Sequence, residues 1–169
     1  MKKGVVKDLV IYGSIIVGIV LIRSFIATPV RVNGLSMYDT LNNGEIMILN
    51  KINYKFNDIK RFDIVVVKTH NDKIIKRVIG LPGESVKIEN NKLYIDGKEI
   101  KDNYAYENTS DFDLKELGFD KIPKGYYFVM GDNRNNSADS RLIGPVKKSQ
   151  IKGKANLVIF PFKDAGKRK

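Results

Sequence analysis

Residues 63–81 read DIVVVKTHNDKIIKRVIGL, two runs rich in β-branched residues with a short polar stretch between them. This pattern predicts strands over Asp63–Lys68 and Lys73–Leu81, joined by a turn. Outward from this pair, similar short runs predict strands over Glu45–Ile52, Ser85–Glu89, Lys92–Ile95, Lys98–Ile100, Tyr126–Met130 and Asn156–Phe160. The Asp96-Gly97 pair is a strong signal for a two-residue hairpin. Most of the chain is therefore expected to form one mainly β domain.

A short helix and a polar tail are expected within and after this domain. Ser110 is the expected N-cap of the helix, Leu114 and Leu117 share one of its faces, and Gly118 ends it. The basic tail, residues 163–169, is expected to be loose.

An apolar run precedes the β region. Residues 9–22 read LVIYGSIIVGIVLI without a charge, and a helix over residues 9–28 would be roughly 30 Å long, about the thickness of a bilayer core. The lysines before the run favour a cytoplasmic N-terminus. A cleaved signal peptide and a buried helix of a soluble protein are the alternatives. The expected organisation is a cytoplasmic N-terminus (1–8), a transmembrane anchor (9–28), an extracytoplasmic β domain (29–162) and a basic tail (163–169).

Composition excludes several classes of site. The chain has 169 residues and no cysteine, which rules out disulfides, a thiol nucleophile and cysteine-ligated metals. A single histidine rules out a histidine-rich metal site, and neither a Walker A pattern nor a dinucleotide fingerprint is present. The formal net charge of +11 leaves nucleic acid, anionic membranes and acidic partners open.

Two residues stand out as a candidate nucleophile and base. Ser36 lies in GLSMYDTL (34–41), where a turn can expose its hydroxyl beside backbone N–H groups that bind an oxyanion. Strand alternation puts Lys76 between Ile74 and Val78 on one face. Burial of that face would lower the pKa of Lys76 and make it a competent general base. The alternatives are a simple turn at Ser36 and a solvated lysine at a strand edge.

A third segment, GDNRNNSADSR (131–141), follows the apolar strand Tyr126–Met130. So many small, hydrogen-bonding residues in a row indicate a polar network that fixes a loop, with an ordinary solvated loop as the alternative.

Taken together, the segments resemble the type I signal peptidases. The shared motifs are Gly-x-Ser-Met-x-x-Thr-Leu, then Lys-Arg-Val-x-Gly-x-Pro-Gly-Glu, then Gly-Asp-Asn-Arg-x-x-Ser-x-Asp-Ser-Arg, in the family's order and spacing after a membrane span. The resemblance covers nearly the whole chain and is greatest to the single-span Gram-positive branch. It implies a signal-peptidase/LexA-like β fold of antiparallel sheets, tethered by one N-terminal transmembrane helix.

The resemblance also implies a Ser–Lys serine endopeptidase. Ser36 matches the nucleophile and Lys76 the neutral general base. Ser137 matches the serine that orients the lysine, and Asp139 and Arg141 match the supporting ion pair. These residues would remove signal peptides from exported preproteins.

Two positions concern the loop around the nucleophile. Gly34 falls where some members carry a serine whose hydroxyl joins the oxyanion hole, and a glycine cannot supply that hydroxyl. Asp39 replaces the proline usual in the family, which frees the backbone and adds a carboxylate near the nucleophile.

The implied partners are secretory preproteins with small residues at the cleavage site and the anionic phospholipid membrane, without nucleic acid, metal or cofactor. The implied location is the plasma membrane, with a single pass and an extracytoplasmic catalytic domain. Substrate would bind as an added strand. Its shallow apolar pockets are predicted to be lined by Val32, Met37, Leu41 and Ile74.

Three other functions compete with this interpretation. His70 could serve a Ser–His protease, but its polar turn favours a surface histidine. The self-cleaving repressors share the Ser–Lys chemistry, but they carry a DNA-binding domain that this sequence lacks. A membrane-tethered binding module, or an inactive relative of the peptidases, remains a non-enzymatic alternative.

Overall fold

The fold is taken from a computed structural model that describes residues 3–70 and 72–168. Met1, Lys2, Asn71 and Lys169 lie outside the described residues. Parts of three predicted features therefore fall outside them: the basic N-terminus, the turn after Lys68 and the end of the tail.

The apolar run forms helix α1 (Lys3–Leu21), which continues through one π-helical turn (Ile22–Ile26). Residues 4–26 are long and apolar enough to cross a membrane, and the most apolar part of this helix is not buried inside the chain. A helix that is apolar all round and lacks a protein partner is typical of a membrane span. Strand β1 (Ala27–Arg31) follows directly, so Ala27 and Thr28, the last residues of the predicted anchor, pair in a sheet.

The remaining described residues form a mainly β domain. Two short helices, α2 (Asn53–Phe56) and α3 (Ser140–Ile143), accompany the strands. The strands after β1 are β2 (Ile46–Asn50), β3 (Ile64–Lys68), β4 (Lys73–Gly80), β5 (Val86–Glu89), β6 (Lys92–Ile95), β7 (Lys98–Ile100), β8 (Phe112–Asp113), β9 (Tyr126–Met130), β10 (Val146–Lys147), β11 (Ile151–Phe160) and β12 (Gly166–Lys167).

The strands make two antiparallel sheets. The larger has the order β1-β2-β11-β3-β4-β9-β10, with β12 on β11, and the smaller has the order β7-β6-β5-β8. The prediction of a mainly antiparallel β fold with one N-terminal apolar helix is confirmed. Strand β11 begins at Ile151 rather than at the predicted Asn156. It starts with alternating lysines and a bulge at Gly153, so it lacks the apolar run that marks a buried strand.

The short helix begins later than predicted. Its N-cap is Asp113 rather than Ser110, and Leu114–Leu117 form a 3-10 helix that ends at left-handed Gly118. The Asp113 side chain accepts the Lys115 N–H, and the Glu116 side chain accepts the Asp113 N–H, a capping box. Residues 112–113 pair with β5, and this pairing prevents a helical start before Leu114.

The described part of the tail, residues 163–168, is ordered rather than loose. Residues 166–167 add a strand to β11, and the Arg168 N–H donates to the Asn156 carbonyl at 2.7 Å. The Arg168 guanidinium lies 3.5 Å from the carboxylate of buried Glu45. A buried carboxylate needs a charged partner, which explains why this basic segment is held.

Three clusters of apolar side chains pack against the sheets. The first joins the smaller sheet to β9 around Phe128, the second packs around Met47 and Val66, and the third packs around Val65 and Val129. Because β3 is buried on both faces, it contributes alternate residues to the second and third clusters.

A fully buried ion pair links β4 to the turn after β9. Arg77 donates from Nε and Nη2 to the two carboxylate oxygens of Asp132, at 2.8 and 2.7 Å. The same guanidinium donates to the Phe62 carbonyl and to Thr40 Oγ1, and it stacks 3.7 Å from the centre of the Tyr104 ring. With these partners the buried charge is satisfied.

Replacing Asp132 by asparagine should therefore strongly destabilise the domain. The substitution leaves the Arg77 charge buried without a counter-ion, and we expect a loss of about 3 kcal/mol in the free energy of unfolding. Urea unfolding of the detergent-solubilised chain measures it. Lys87→Gln, which breaks the exposed Lys87–Glu89 pair, is the control and should change stability very little. A loss no larger than that of the control would refute the role given to the buried pair.

Candidate active site

Ser36 lies on the loop between β1 and β2, residues 32–45, and buried side chains that follow it anchor this loop to the core. Met37 and Leu41 are buried in the second cluster, and the Leu41 N–H donates to the Met37 carbonyl at 2.8 Å. The Tyr38 N–H donates to the Leu35 carbonyl at 3.1 Å. The apolar residues that follow Ser36 thus fix the loop and leave the serine only partly buried.

Lys76 reaches this serine from β4. Its ammonium nitrogen lies 2.6 Å from Ser36 Oγ, although the two residues are 40 positions apart. Lys76 is only 3% exposed, and its strand neighbours Ile74 and Val78 both pack on the third cluster. The predicted apolar face around Lys76 is thus observed.

The environment of Lys76 favours a neutral amine. Burial lowers the pKa of Lys76 to about 8, against the opposing effect of the negative charges on Asp139 and Asp132; the Arg141 charge lowers it further. Asp39 is exposed and is not among the charges that act on the lysine. An amine with a pKa near 8 is about one-tenth deprotonated at pH 7 and half deprotonated at pH 8, which provides the neutral form that a general base requires.

The loop after β9 closes over the nucleophile. The Asn133 N–H donates to the Ser36 carbonyl at 3.1 Å. A Cβ on Gly131 would stand 2.3 Å from both the Ser36 carbonyl oxygen and Ser137 Oγ. Glycine at position 131 therefore allows the loop to approach the serine this closely.

Asp139 and Arg141 hold this loop in place. The Asp139 carboxylate accepts the Gly131 N–H at 3.0 Å and receives Arg141 Nε and Nη2, both at 2.9 Å. Burial would raise the pKa of Asp139, but the hydrogen bond and charge of Arg141 outweigh it, so the pKa of Asp139 is lowered. Arg141 also donates to the Arg134 carbonyl, and Asp139 caps α3. The predicted pairing of these two residues is present.

Ser137 lies at the site without a bond to the lysine. Its Oγ is buried and has no hydrogen-bond partner among the described residues. It is packed against Gly131, on the side of the loop that faces Ser36. Its role in orienting Lys76 stays a prediction.

The backbone N–H of Ser36 itself is free to donate to an oxyanion. Within residues 3–70 and 72–168, no acceptor takes the Ser36 N–H. The Gly34 N–H is engaged, because it donates to Asn43 Oδ1 at 3.0 Å. Gly34 has a φ of +88°, a conformation that suits glycine and strains other residues.

The four predicted pocket residues do not form one group. Val32, Met37 and Leu41 belong to the second cluster, and Leu41 is completely buried there. Ile74 packs on the third cluster instead. Assignment of these side chains to substrate pockets stays a prediction.

Several residues of the site were not predicted from the sequence. Arg77 and Asp132 lie inside the quoted motifs but were given no role, and Gly131 was named only as the start of its segment. Arg134 is also buried; it donates to the Gly131 carbonyl at 2.9 Å and pairs with Asp102. For Arg77, the sequence offered one signal: it is a charged residue directly after the candidate base Lys76.

Among the described residues, no second kind of catalytic or metal centre accompanies this site. His70 is exposed in the turn between β3 and β4, away from hydrogen-bond contact with Ser36. The part of the chain that the structure describes contains no cluster of three metal-binding side chains.

Adding a methyl group at Gly131 should disrupt the site. Gly131→Ala puts an atom 2.3 Å from two oxygens, one of them backbone, and we expect a loss of about 1–3 kcal/mol in the free energy of unfolding. Thermal unfolding measures it, with Gly13→Ala in α1, which has open space, as the control. An unchanged Gly131→Ala stability would show that the loop does not approach Ser36 this closely.

The chain is similar to known proteins. The family model "Signal peptidase, peptidase S26" matches residues 5–160. Signal peptidase I of Bacillus amyloliquefaciens is 44% identical over 156 residues, covering 85% of this chain and 79% of the relative. Signal peptidase I T of Bacillus subtilis is 42% identical over 154 residues, with the same coverages of 85% and 79%.

A solved structure agrees with these matches. The crystal structure of a signal peptidase I from Enterococcus faecalis aligns with a TM-score of 0.55 and 36% identity, covering 58% of this chain and 97% of that chain. The family match spans most of the sequence, and the relatives exceed 40% identity. The chain therefore belongs to the signal peptidase I family, peptidase S26.

Proposed function

We propose that this chain removes signal peptides with a Ser–Lys dyad, in which Ser36 is the nucleophile and buried Lys76 the neutral general base. Membership of the signal peptidase I family supports removal of signal peptides by a serine peptidase. The observation that carries the finer assignment is the 2.6 Å contact between Lys76 Nζ and Ser36 Oγ in a buried environment.

The chemistry follows from these two groups. Neutral Lys76 accepts the Ser36 hydroxyl proton as Oγ attacks the carbonyl carbon at the cleavage site. The Ser36 N–H donates to the developing oxyanion. The amine of the mature protein leaves with the proton from Lys76, and an acyl-enzyme remains. A water deprotonated by Lys76 then releases the signal peptide and frees Ser36.

The mechanism also uses three positioning residues, Asp139, Arg141 and Ser137. Asp139 and Arg141 hold the Gly131 turn against Ser36, while Ser137 orients the lysine amine. Each of the two charged residues also acts on the Lys76 pKa, in opposite directions. Gly34 leaves the oxyanion hole with the Ser36 N–H as its main donor.

The substrates are secretory preproteins with small residues at the cleavage site. An extended peptide would lie along a sheet edge, where alternate side chains enter pockets. Val32, Met37, Leu41 and Ile74 remain the proposed lining of these pockets.

The apolar helix and the relatives support a membrane-anchored protein. We assign residues 1–8 to the cytoplasm, residues 9–28 to the anchor, residues 29–162 to the extracytoplasmic catalytic domain and residues 163–169 to its basic tail. The lysines before the apolar run support this orientation in a plasma membrane. A single pass places the catalytic domain beside the leaflet where signal peptides emerge.

Cleavage of a preprotein with an Ala-x-Ala site should depend on neutral Lys76. We expect the rate to rise with pH through a midpoint of about 8, because the protonated amine cannot accept the Ser36 proton. Ser36→Ala, Lys76→Ala and Lys76→Arg should each abolish cleavage, since arginine stays charged. Lys87→Ala, at an exposed position of β5, is the control and should retain it.

Two results would contradict the dyad. A folded Lys76→Arg variant with full activity would exclude a neutral-amine base. Cleavage that persists in Ser36→Ala would remove the serine from its role. Thermal unfolding of each variant separates loss of chemistry from loss of fold.

Restoring proline at position 39 should leave cleavage equal or faster. Asp39 is exposed, and its backbone N–H has no acceptor among the described residues, so proline removes no hydrogen bond. Cleavage rate and melting temperature of Asp39→Pro test this. A large loss of cleavage in a folded variant would show that Asp39 has a role of its own.

A further inference from the structure

A cationic groove lies where the apolar helix meets the large sheet. It has a volume of about 490 Å³ and is bounded by Ser24 and Phe25 at the end of the helix, Thr28 and Val30 of β1, and Leu49 of β2. Four lysines from three strands and one loop complete its lining: Lys51, Lys68, Lys73 and Lys152. The lining residues come from strands as far apart in the sheet order as β1 and β4. Because these strands border one groove, the sheet must curl around it.

The lysines of the groove lack counter-ions. Lys68 and Lys73 are exposed and stand directly opposite each other in the β3–β4 register, an arrangement of like charges that destabilises a sheet. None of the four lysines forms a salt bridge with a described carboxylate, and the groove is lined by no acidic residue. The nearby Asp72 carboxylate accepts the Lys73 backbone N–H. An anion between Lys68 and Lys73 would relieve their repulsion.

The other two lysines are held in place by backbone carbonyls. Lys51 Nζ donates to the carbonyls of Arg23 and Ser24, at 3.0 and 3.1 Å. Lys152 Nζ donates to the Ser149 carbonyl at 2.8 Å. Each ammonium group has three donors, so both retain at least one for a ligand. Lys51 also fixes the groove to the last turn of the apolar helix.

The groove combines these charges with apolar surface. Val30 and Leu49 belong to the second cluster or pack against it, and alternation puts Lys68 and Lys73 on the face of Val66 and Ile75. Phe25, 59% exposed, stands beside them at the end of the membrane helix. Positive charge beside apolar surface at the end of a membrane helix matches the boundary between lipid headgroups and acyl chains.

We propose that this cationic groove binds one anionic phospholipid from the leaflet beside the catalytic domain. The headgroup phosphate lies between Lys68 and Lys73, and the start of an acyl chain lies against Phe25. The inference rests on the membrane placement proposed above and is independent of the Ser–Lys chemistry.

A bound lipid would also set the position of the active site. Lys73 and Lys76 are on the same strand, and β1 leads into the Ser36 loop. A headgroup held at Lys73 therefore fixes the height and tilt of the dyad relative to the bilayer surface.

Native mass spectrometry of the detergent-solubilised full chain tests the site. The protein is titrated with phosphatidylglycerol or with phosphatidylcholine of the same acyl chains. We expect one phosphatidylglycerol to bind with clear preference, and Lys68→Gln/Lys73→Gln to weaken it about tenfold or more. The control is Lys98→Gln/Lys101→Gln, which removes the same charge from the exposed edge of the smaller sheet and should bind as the wild type does.

A second variant separates binding from folding. Lys68→Glu places opposite charges across the β3–β4 pair, so it should keep or raise the melting temperature while it weakens phosphatidylglycerol binding. Equal loss in the groove and control variants would overturn the proposal, because binding would then follow net charge alone. Equal affinity for the two lipids would overturn it as well.

Two further arms identify the occupant. If millimolar inorganic phosphate raises the melting temperature as much as phosphatidylglycerol does, the groove is a site for free phosphate, and the lipid proposal fails. If a signal peptide displaces the lipid competitively, the groove belongs to substrate, and the proposal fails. Cleavage is recorded in parallel: lost lipid preference with intact cleavage contradicts this inference alone, and intact preference without cleavage contradicts the Ser–Lys assignment alone.

Discussion

The buried ion pair between Arg77 and Asp132 is the constraint on which the active site depends. It joins β4, which carries Lys76, to the turn after β9, which donates a hydrogen bond to the Ser36 carbonyl. Because both charges are fully buried, neither partner can move away without leaving the other uncompensated. The base and the loop that covers the nucleophile are thereby held in one fixed relation, which a reaction between Lys76 and Ser36 requires.

The lowered pKa of Lys76 reduces the stability of the folded state. Its folded pKa of about 8 lies below the ordinary value of 10.5, so protonation is weaker in the folded state than in the unfolded state. The resulting penalty, about 3 kcal/mol, is fully present below pH 8 and is relieved as the pH rises from 8 towards 10.5. The penalty would be larger without Asp139 and Asp132, whose charges favour the ammonium form. The two acidic residues therefore limit the stability lost by burying the lysine, while its pKa stays low enough for a general base.

Local sequence patterns predicted the strands and the candidate dyad. The features that were not predicted depend on contacts between residues far apart in the sequence. The run of β-branched residues identified β3 and β4, and alternation put Lys76 on an apolar face. The cap at Asp113 could not be predicted, because the pairing of residues 112–113 with β5 excludes the earlier start. The ordered tail likewise depends on Glu45, more than 100 positions away. Arg77 and Asp132 are 55 positions apart, so local sequence patterns could not predict their pairing either.

The central claim is that Lys76 is a buried amine with a lowered pKa. Carbon-13 NMR of the full chain in detergent, with lysines labelled at Cε and Lys76→Gln used to assign the resonance, follows its protonation directly. The account predicts a titration midpoint of about 8. A midpoint near the ordinary lysine value of 10.5 would contradict it, because the neutral fraction at pH 7 would then fall from about one-tenth to roughly 3 in 10,000, leaving almost no amine able to accept the Ser36 proton.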